Sequence, residues 1–341
     1  MFTARPCLLA VAAAAVAACA APATADEVAE FYSGRTVTYI QASSAGGGYA
    51  AYSRLIVQHL PRFIPGNPAV QLQFMQGAGG VKGANFVYSV APRDGLTIGM
   101  PLAAVVRYQI LLPDKVRYDA AKLNWFGSAS PLRSIIAVWN TAAAKSLADA
   151  QASEVIIGAT AKSADNYQQP LLANYIAGTK FKVVPGYKGS KGMDLAMQTG
   201  ETHGRMSYWE SWQVNRPDWI SDRRVITLIQ VGARPIKGLD APRMIDLAKT
   251  PEQRAMVRLQ HVTGAIGRAV YGPPGIPEAR RAALGKAVEA VLNDPAFQDE
   301  ARKRNVGIDP TPGTELTQIV HDALLIPQSV IARYKQVVGM N

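Results

Sequence analysis

The amino-acid sequence predicts an α/β protein with two lobes. Between residues 37 and 231, short apolar segments rich in β-branched residues alternate with helix-like segments, a pattern typical of parallel strands joined by helices. Glycine-rich turns follow the first two of these strands. The chain has 341 residues, which exceeds the usual size of one hydrophobic core, and we therefore expect two lobes.

The elements follow one another as strand, turn and helix. Residues 37–42 read as a strand, 43–48 as a turn and 52–60 as a helix, and the order repeats over 70–75, 77–80 and 83–90 before a strand at 96–100. Further strands are expected at 135–139, 155–159, 181–184, 203–207 and 225–231, with helices at 167–177 and 193–199. These later elements predict the second lobe.

The remainder of the chain reads as mostly helical. Pro277-Glu278 and Thr314-Glu315 are helix-start signals, and Asn293-Asp294-Pro295 ends a helix. A helical tail needs a sheet to cover, and we place it on the first lobe. The chain then crosses between lobes near 125–128 and near 231, so that residues 26–126 plus 232–341 form lobe 1 and residues 127–231 form lobe 2.

The first 25 residues have the pattern of a secretory signal peptide. Arg5 precedes an apolar run at 8–18, which is about half of the roughly 20 residues that a membrane-spanning helix needs, and Ala23-Thr24-Ala25 fits a cleavage site. We expect cleavage after Ala25 and a periplasmic location. Residues 16–19 also resemble a lipobox, so cleavage and lipid tethering at Cys19 stay the alternative.

Composition excludes several kinds of chemistry. Both cysteines, Cys7 and Cys19, lie in the leader, and a mature chain cut after Ala25 has no thiol for a disulfide, a metal or catalysis. Lysine and arginine number 36 against 25 acidic residues, a surplus that favours anionic partners. The basic residues are scattered and form no nucleic-acid-binding motif, so we expect no nucleic-acid partner.

No catalytic or cofactor motif is present in the sequence. The glycines at 77, 79 and 83 miss the dinucleotide spacing because Lys82 occupies the third glycine position, and Lys188 replaces the first glycine of a nucleophile elbow. The four histidines are isolated from one another. We expect no catalytic residue, no metal and no cofactor.

Two glycine-rich turns are candidate anion sites. Residues 43–48 and 77–80 each join a strand to a helix, where backbone N–H groups and a helix N-terminus can face a carboxylate. Turns at the carboxyl ends of neighbouring parallel strands converge on one crevice. A tight turn without a ligand is the alternative interpretation for each. In the second lobe, the polar loops 160–166 and 187–190 are placed to supply hydroxyl and N–H groups.

Taken in order, the loops resemble those of the substrate-binding proteins of tripartite tricarboxylate transporters, the Bug family of periplasmic receptors. The marks are Gly46-Gly47-Gly48-Tyr49 with Tyr52-Ser53-Arg54, Gly77-Ala78-Gly79-Gly80, Ala91-Pro92-Arg93-Asp94-Gly95-Leu96-Thr97, Gly186-Tyr187-Lys188-Gly189-Ser190, Gly200-Glu201 with Gly204-Arg205, and Pro273-Pro274-Gly275-Ile276-Pro277. The resemblance covers essentially the whole mature chain. It implies a type II periplasmic-binding-protein fold, with two lobes and a ligand cleft between them.

The resemblance also implies a set of substrate-binding residues. One carboxylate of the ligand is expected on lobe 1, at Ser43, Ser44, Gly46, Gly47, Gly48 and Tyr49 with Ala78, Gly79 and Gly80. Lobe 2 is expected to contribute Thr160, Ser163, Lys188, Gly189 and Ser190. Independently of the resemblance, the aromatic residues Tyr208 and Trp209 follow a strand end and are candidate walls for an organic acid, with packing against the core as the alternative interpretation. We expect Trp212 to be a packing residue.

Several positions depart from the family pattern. Many relatives carry aspartate where this chain has Ala50 and proline where it has Gln76, and an aromatic residue or proline near Ser43 and Ala45. These departures lie in or beside the expected site. The ligand is therefore expected to be a small organic acid, either a di- or tricarboxylate or, given Tyr49, Tyr208 and Trp209, an aromatic or bulkier acid.

The expected function is capture of that acid and its delivery to the subunits of a tripartite tricarboxylate-type membrane transporter. We expect a monomer that is not an enzyme. A ligand-sensing partner of a membrane signalling protein would share the site and differ in its docking surface. An exported enzyme is disfavoured, because no acid, base or nucleophile cluster stands out in the sequence.

Overall fold

The computed structural model describes residues 25–45, 48–162, 164–232 and 234–340, which form two β-sheets flanked by helices. The strands are β1 (Thr36–Gln41), β2 (Ala69–Phe74), β3 (Thr97–Met100), β4 (Asn124–Ser128), β5 (Ser134–Trp139), β6 (Val155–Ala159), β7 (Phe181–Pro185), β8 (Gly204–Tyr208), β9 (Val225–Gln230), β10 (Ala269–Gly272) and β11 (Thr311–Pro312). The first sheet has the order β11-β4-β10-β3-β1-β2, and the second has the order β7-β6-β8-β5-β9. The α/β class that the sequence predicts is confirmed.

The helices lie mostly between the strands or in the tail. They are α1 (Ala25–Tyr32), α2 (Gly48–His59), α3 (Val81–Ser89), α4 (Val105–Leu111), α5 (Leu147–Ala152), α6 (Asp165–Ala177), α7 (Gly189–Gln198), α8 (Trp209–Asn215), α9 (Pro217–Ser221), α10 (Met244–Leu247), α11 (Pro251–Ile266), α12 (Glu278–Asn293), α13 (Pro295–Lys303), α14 (Gly313–Leu324) and α15 (Gln328–Val337). Short 3-10 helices cover Leu60–Phe63, Ala78–Gly80 and Pro113–Lys115. The start and stop signals at 277–278, 293–295 and 314–315 lie at or next to the observed ends of α12, α13 and α14.

The first sheet brings the two glycine-rich turns to one edge. Strand β1 is parallel to both β2 and β3, and Gln41 at its end pairs with Phe74 of β2 and Met100 of β3. The side chains of the consecutive residues Tyr39 and Ile40, which point to opposite faces of the sheet, are both buried, as expected for a central strand covered on both faces. The turns after β1 and β2 therefore leave the sheet side by side.

The second sheet repeats this arrangement. Strand β6 is parallel to β7 and β8, and Ala159 at the end of β6 pairs with Pro185 at the end of β7. Strand β5 is antiparallel to β8 and β9. The loops that follow β6 and β7 thus emerge from the same edge of this sheet.

The tail contains more strand than the sequence indicates. Strands β10 and β11 both pair antiparallel with β4 and complete the first sheet. They have only four and two residues, too few to show a strand pattern in the sequence. Our description of the chain after residue 231 as mostly helical is therefore incomplete at these two segments.

A continuous hydrophobic core joins the sheets. One cluster of buried residues runs from Ile40 on β1 through Val105 on α4 and Val257 on α11 to Ile136 on β5 and Leu172 on α6. A second cluster lies between the first sheet and helices α2, α12 and α13. The tail helices therefore cover the first sheet, and α11 and α15 also contact the α4 and α6 region between the sheets.

The chain passes from the first sheet to the second between residues 128 and 134 and returns between 230 and 269. These passages lie close to the predicted crossings, and the division into residues 26–126 plus 232–341 and residues 127–231 stays a proposal. Within the described ranges, no helix is long and apolar enough to cross a bilayer. The predicted leader, with Cys7 and Cys19, lies outside the residues that the structure describes, apart from the helix start at Ala25.

Candidate ligand-binding site

The strand ends of the two sheets face each other across the molecule. A buried ion pair joins Arg107 of α4, which follows β3, to Asp165 at the start of α6, which follows β6. Only 2% of the Arg107 side chain and 11% of the Asp165 side chain are exposed. This pair brings the carboxyl ends of the first-sheet strands against those of the second.

Tyr208 completes this contact. Its hydroxyl donates a hydrogen bond to Oδ2 of Asp165 over 2.8 Å. Burial, and after it the negative charge of Asp165, raise the pKa of Tyr208 well above its usual value. The phenol therefore stays protonated and keeps its role as a donor at neutral pH.

Behind the ion pair, a polar network links the four helices α4, α6, α11 and α15. Arg107 Nη1 and the hydroxyl of Tyr334 both donate to Oε1 of Gln168, over 2.9 and 3.1 Å. Gln260 donates to the Tyr334 hydroxyl, and Gln169 donates to Gln260 Oε1 over 3.2 Å. Helices α6, α11 and α15 are thereby fixed to one another beneath the strand ends.

The turn after β1 is held at both sides by side chains. The hydroxyl of Ser43 accepts a hydrogen bond from Gln41 Nε2 over 3.1 Å, and Arg54 Nη2 donates to the carbonyl of Ala45 over 2.8 Å. Ser44 is exposed. Gly46 and Gly47 lie outside the described residues, and Gly48 is the first residue of α2 rather than the last of a longer turn.

Tyr49 lies in the first turn of α2 beside this loop. Its hydroxyl accepts a hydrogen bond from the backbone N–H of Ala103 over 3.0 Å. The guanidinium carbon of Arg268 lies 3.8 Å from the centre of its ring. Burial raises the pKa of Tyr49, and the nearby Arg268 charge opposes that rise. The Tyr49 side chain is thus held in place at the start of α2.

The turn after β2 requires unusual backbone angles. Gly77, Ala78, Gly79 and Gly80 have φ values of 147°, 45°, 61° and 94° in succession. A Cβ on Gly79 would lie 2.8 Å from the hydroxyl oxygen of Tyr108, so the turn also packs tightly against α4. Ala78 and Gly79 are exposed, which leaves their backbone accessible to a ligand.

The loops that follow the strands of the second sheet differ in how far their polar groups are exposed or already hydrogen-bonded within the protein. Thr160 uses both its N–H and its hydroxyl on Asn166 Oδ1, over 3.1 and 3.2 Å, so it fixes the start of α6. Ser163 lies outside the described residues. Lys188 and Ser190 are exposed, and Gly189 begins α7, so Gly189 and Ser190 belong to a first helical turn and not to a loop. None of these loop side chains is brought against Tyr49 by a described hydrogen bond.

Trp209 and Trp212 belong to an aromatic group behind the second sheet. Trp212 is 1% exposed and stacks edge-on against Trp219, with ring centroids 5.9 Å apart, which confirms that it is a packing residue. Trp209 is partly buried against the same cluster. The backbone N–H of Trp209 donates to the carbonyl of Arg133 over 2.9 Å, at the passage between the sheets.

Sequence reasoning missed the charged residues between the sheets. These residues come from distant parts of the chain and form no local motif. They are Arg107, Arg268 and the ion pair of Arg133 with Glu210, in which Arg133 Nε lies 2.6 Å from Glu210 Oε1. Asp165 lies inside the polar loop 160–166 but was not singled out. Only the pairing of elements in three dimensions reveals these residues.

Two cavities bear on where a ligand fits. A cavity of about 250 Å³ opens between α8 and residues 302–307, next to Glu210 and to Gly307, whose carbonyl accepts the hydroxyl of Tyr52 over 2.6 Å. A larger groove of about 560 Å³ lies elsewhere, between α11 and α14, and includes His261 and Asp322. In the described part of the chain, no group of three or more His, Cys, Asp or Glu residues is placed to hold a metal ion.

No protein-family model matches the sequence, and no curated protein matches it.

The fold, in contrast, has counterparts among solved structures. A TctC solute-binding protein from Polaromonas has a TM-score of 0.70 at 16% identity, covering 91% of this chain and 100% of that one. A protein from R. palustris with adipate has a TM-score of 0.61 at 19% identity, covering 90% and 98%. MatC from Rhodopseudomonas palustris, with bound malate, has a TM-score of 0.59 at 20% identity, covering 89% and 99%. The two-lobed periplasmic-binding-protein fold is thereby confirmed.

Proposed function

We propose that this protein is a solute-binding receptor that takes a small organic carboxylate between its two sheets. The observation that carries the proposal is the Arg107–Asp165 contact, which sets the strand ends of one sheet against those of the other. Helices α2, α3, α6 and α7 follow these strand ends after short turns. Backbone N–H groups at helix N-termini favour anions, and ligands of open α/β sheets bind at the carboxyl ends of the strands.

The structural counterparts support this proposal. They are described as a solute-binding protein, a protein with adipate and a protein with bound malate, and both acids are dicarboxylates. We accordingly propose binding without catalysis, with Ser43, Ser44, Tyr49 and residues 78–80 on one side of the ligand.

The same proposal covers the partner and the location. A receptor of this kind resides in the periplasm, reached through the predicted leader, and presents its ligand as a monomer to a tripartite tricarboxylate-type membrane transporter. The lobes 26–126 plus 232–341 and 127–231 are the bodies that close around the acid. An intact mass of the mature protein distinguishes cleavage after Ala25 from lipidation at Cys19.

Calorimetric titration tests the binding function directly. The panel contains adipate, malate, succinate, citrate, benzoate and phenylacetate, and the matched controls are adipamide and benzamide, which keep the shape but lack the charge. We expect at least one acid to bind with Kd in the micromolar range, about −8 kcal/mol, and its amide to bind far more weakly. Binding of every acid only at about millimolar Kd or weaker, about −4 kcal/mol, would refute the proposal.

A further inference from the structure

Arg268 is a buried arginine at the point where the tail returns to the first sheet. It directly precedes β10, and only 8% of the residue is exposed. Its backbone N–H donates to the carbonyl of Ser130 over 3.1 Å and lies 3.2 Å from the hydroxyl oxygen of Ser128. These contacts fix its main chain at the passage between the two sheets.

The guanidinium of Arg268 has no anionic partner in the described part of the chain. The other two strongly buried arginines, Arg107 and Arg205, are each paired with an aspartate, Asp165 and Asp194 respectively. No such ion pair involves Arg268, and its Nε is buried without a hydrogen-bond acceptor among the described residues. Burying a cation without a counter-charge is unfavourable, so this arrangement calls for an explanation.

Two tyrosines offset part of that cost. The guanidinium carbon lies 3.8 Å from the ring centre of Tyr49 and 5.1 Å from that of Tyr52. Stacking on aromatic faces stabilises a buried cation, but it supplies no acceptor for its N–H groups. One guanidinium nitrogen, Nη1, donates to the carbonyl of Gly267 over 3.4 Å, and the remaining N–H groups keep donor capacity for an anion.

The guanidinium also lies against the start of α2. A Cβ placed on Gly48 would be 3.4 Å from Nη2 of Arg268, and Gly48 is the first residue of α2. The cation and the N-terminus of a 12-residue helix thus meet at one point of the proposed site. Both features favour negative charge, and they come from unrelated parts of the chain.

We propose that Arg268 binds the carboxylate of the ligand, with its planar guanidinium donating hydrogen bonds to the carboxylate oxygens at the start of α2. This inference rests on the proposed receptor function and names the side chain that selects an acid over a neutral solute. The ligand supplies the counter-charge that the described protein residues lack at this position. Arg268 is accordingly a specificity-determining residue.

The test compares three variants with the unaltered protein by calorimetry, using the tightest-binding acid of the adipate, malate, succinate, citrate, benzoate and phenylacetate panel. Arg268→Met keeps most of the buried stem and removes the charge, and Arg268→Lys keeps the charge but not the planar fork. Arg281→Gln is the control, because it removes an exposed arginine that pairs with Glu278 on α12. Circular dichroism and melting curves verify that each variant is folded. If Arg268→Met does not fold, Arg268→Lys is compared with the unaltered protein instead.

We expect affinity to fall by roughly 10- to 100-fold in Arg268→Met and by about tenfold in Arg268→Lys, with no significant change in Arg281→Gln. The neutral controls adipamide and benzamide should bind the unaltered protein and Arg268→Met about equally. A change of less than about threefold for the acid in a folded Arg268 variant overturns the role of Arg268 and leaves the receptor function standing. If the unaltered protein binds no acid of the panel, the receptor function itself fails, and the inference fails with it.

Discussion

At the scale of single residues, the most consequential contact is the buried ion pair of Arg107 with Asp165. Removing one member of a buried pair leaves the other charged group without compensation, which costs about 3–5 kcal/mol. We expect Asp165→Asn to lower the free energy of unfolding by about 3 kcal/mol or more, measured by urea denaturation. The Tyr208 hydroxyl would keep an acceptor in the asparagine.

A surface pair provides the control for this prediction. Asp299 and Arg302 form an ion pair in which both side chains are more than half exposed. Pairs of this kind contribute about 1 kcal/mol or less, so Asp299→Asn should change the unfolding free energy by that amount at most. Equal losses of unfolding free energy in the two variants would show that the buried Arg107–Asp165 pair stabilises the fold no more than a surface ion pair does.

The sequence predicts the residues of the site unevenly. Tyr49 and Tyr208 can be proposed from the sequence because each sits next to a recognisable turn or strand end, and in the structure Tyr49 lies in the first turn of α2 and Tyr208 ends β8. Arg107 and Arg268 were missed because their significance lies in what packs against them. An arginine carries no sequence signal of burial. Only the fold shows that Arg107 has an aspartate beside it and that Arg268 has no acidic partner among the residues that the structure describes.

At the scale of elements, helix α11 contains a titratable side chain that is packed against its neighbours. His261 is largely buried, and its Nε2 has no partner among the described residues. Burial lowers the pKa of His261 to about 4, a hydrogen bond with the backbone of Val231 opposes the shift, and the charge of Arg258 adds to it. The folded state therefore binds this proton less readily than the unfolded chain, whose histidine pKa is about 6.5.

The pH dependence of the unfolding free energy follows from this difference between the folded and unfolded pKa of His261. Because the pKa is lower in the folded state, the contribution of His261 is fully present above pH about 6.5 and is lost as the pH falls toward 4. We expect the unaltered protein to lose about 3 kcal/mol more unfolding free energy between pH 7 and pH 4 than His261→Phe does. His321→Phe, at an exposed position of α14, should follow the unaltered protein. Parallel pH curves for all three would contradict the assignment.

Elements were predictable where the sequence pattern is local. The strand–turn–helix units around β1 and β2, and those around β6 and β7, are found because apolar runs end in glycine or polar turns. Helix α4 was missed because Val105-Val106-Arg107-Tyr108-Gln109-Ile110-Leu111 is rich in residues that favour strands. Its contacts with α11 and α15 stabilise the helix over that preference.

At the scale of the whole molecule, the fold class was predictable and the closure of the first sheet was not. Alternating strands and helices indicate two α/β lobes, and the resemblance of the loops points to the same architecture. Strands β10 and β11 return from the tail to pair with β4, and their short lengths leave no trace in the sequence pattern. This return also places Arg268 beside α2, so the feature that sequence reasoning missed builds part of the candidate site.

A crystal structure of the protein with its tightest-binding carboxylate tests the central claim most directly. We predict the acid between the two sheets, with its carboxylate within hydrogen-bonding distance of the turn after β1 and of Arg268, and with further contacts from the loops after β6 or β7. An acid bound instead in the groove between α11 and α14, beside His261 and Asp322, would contradict the account.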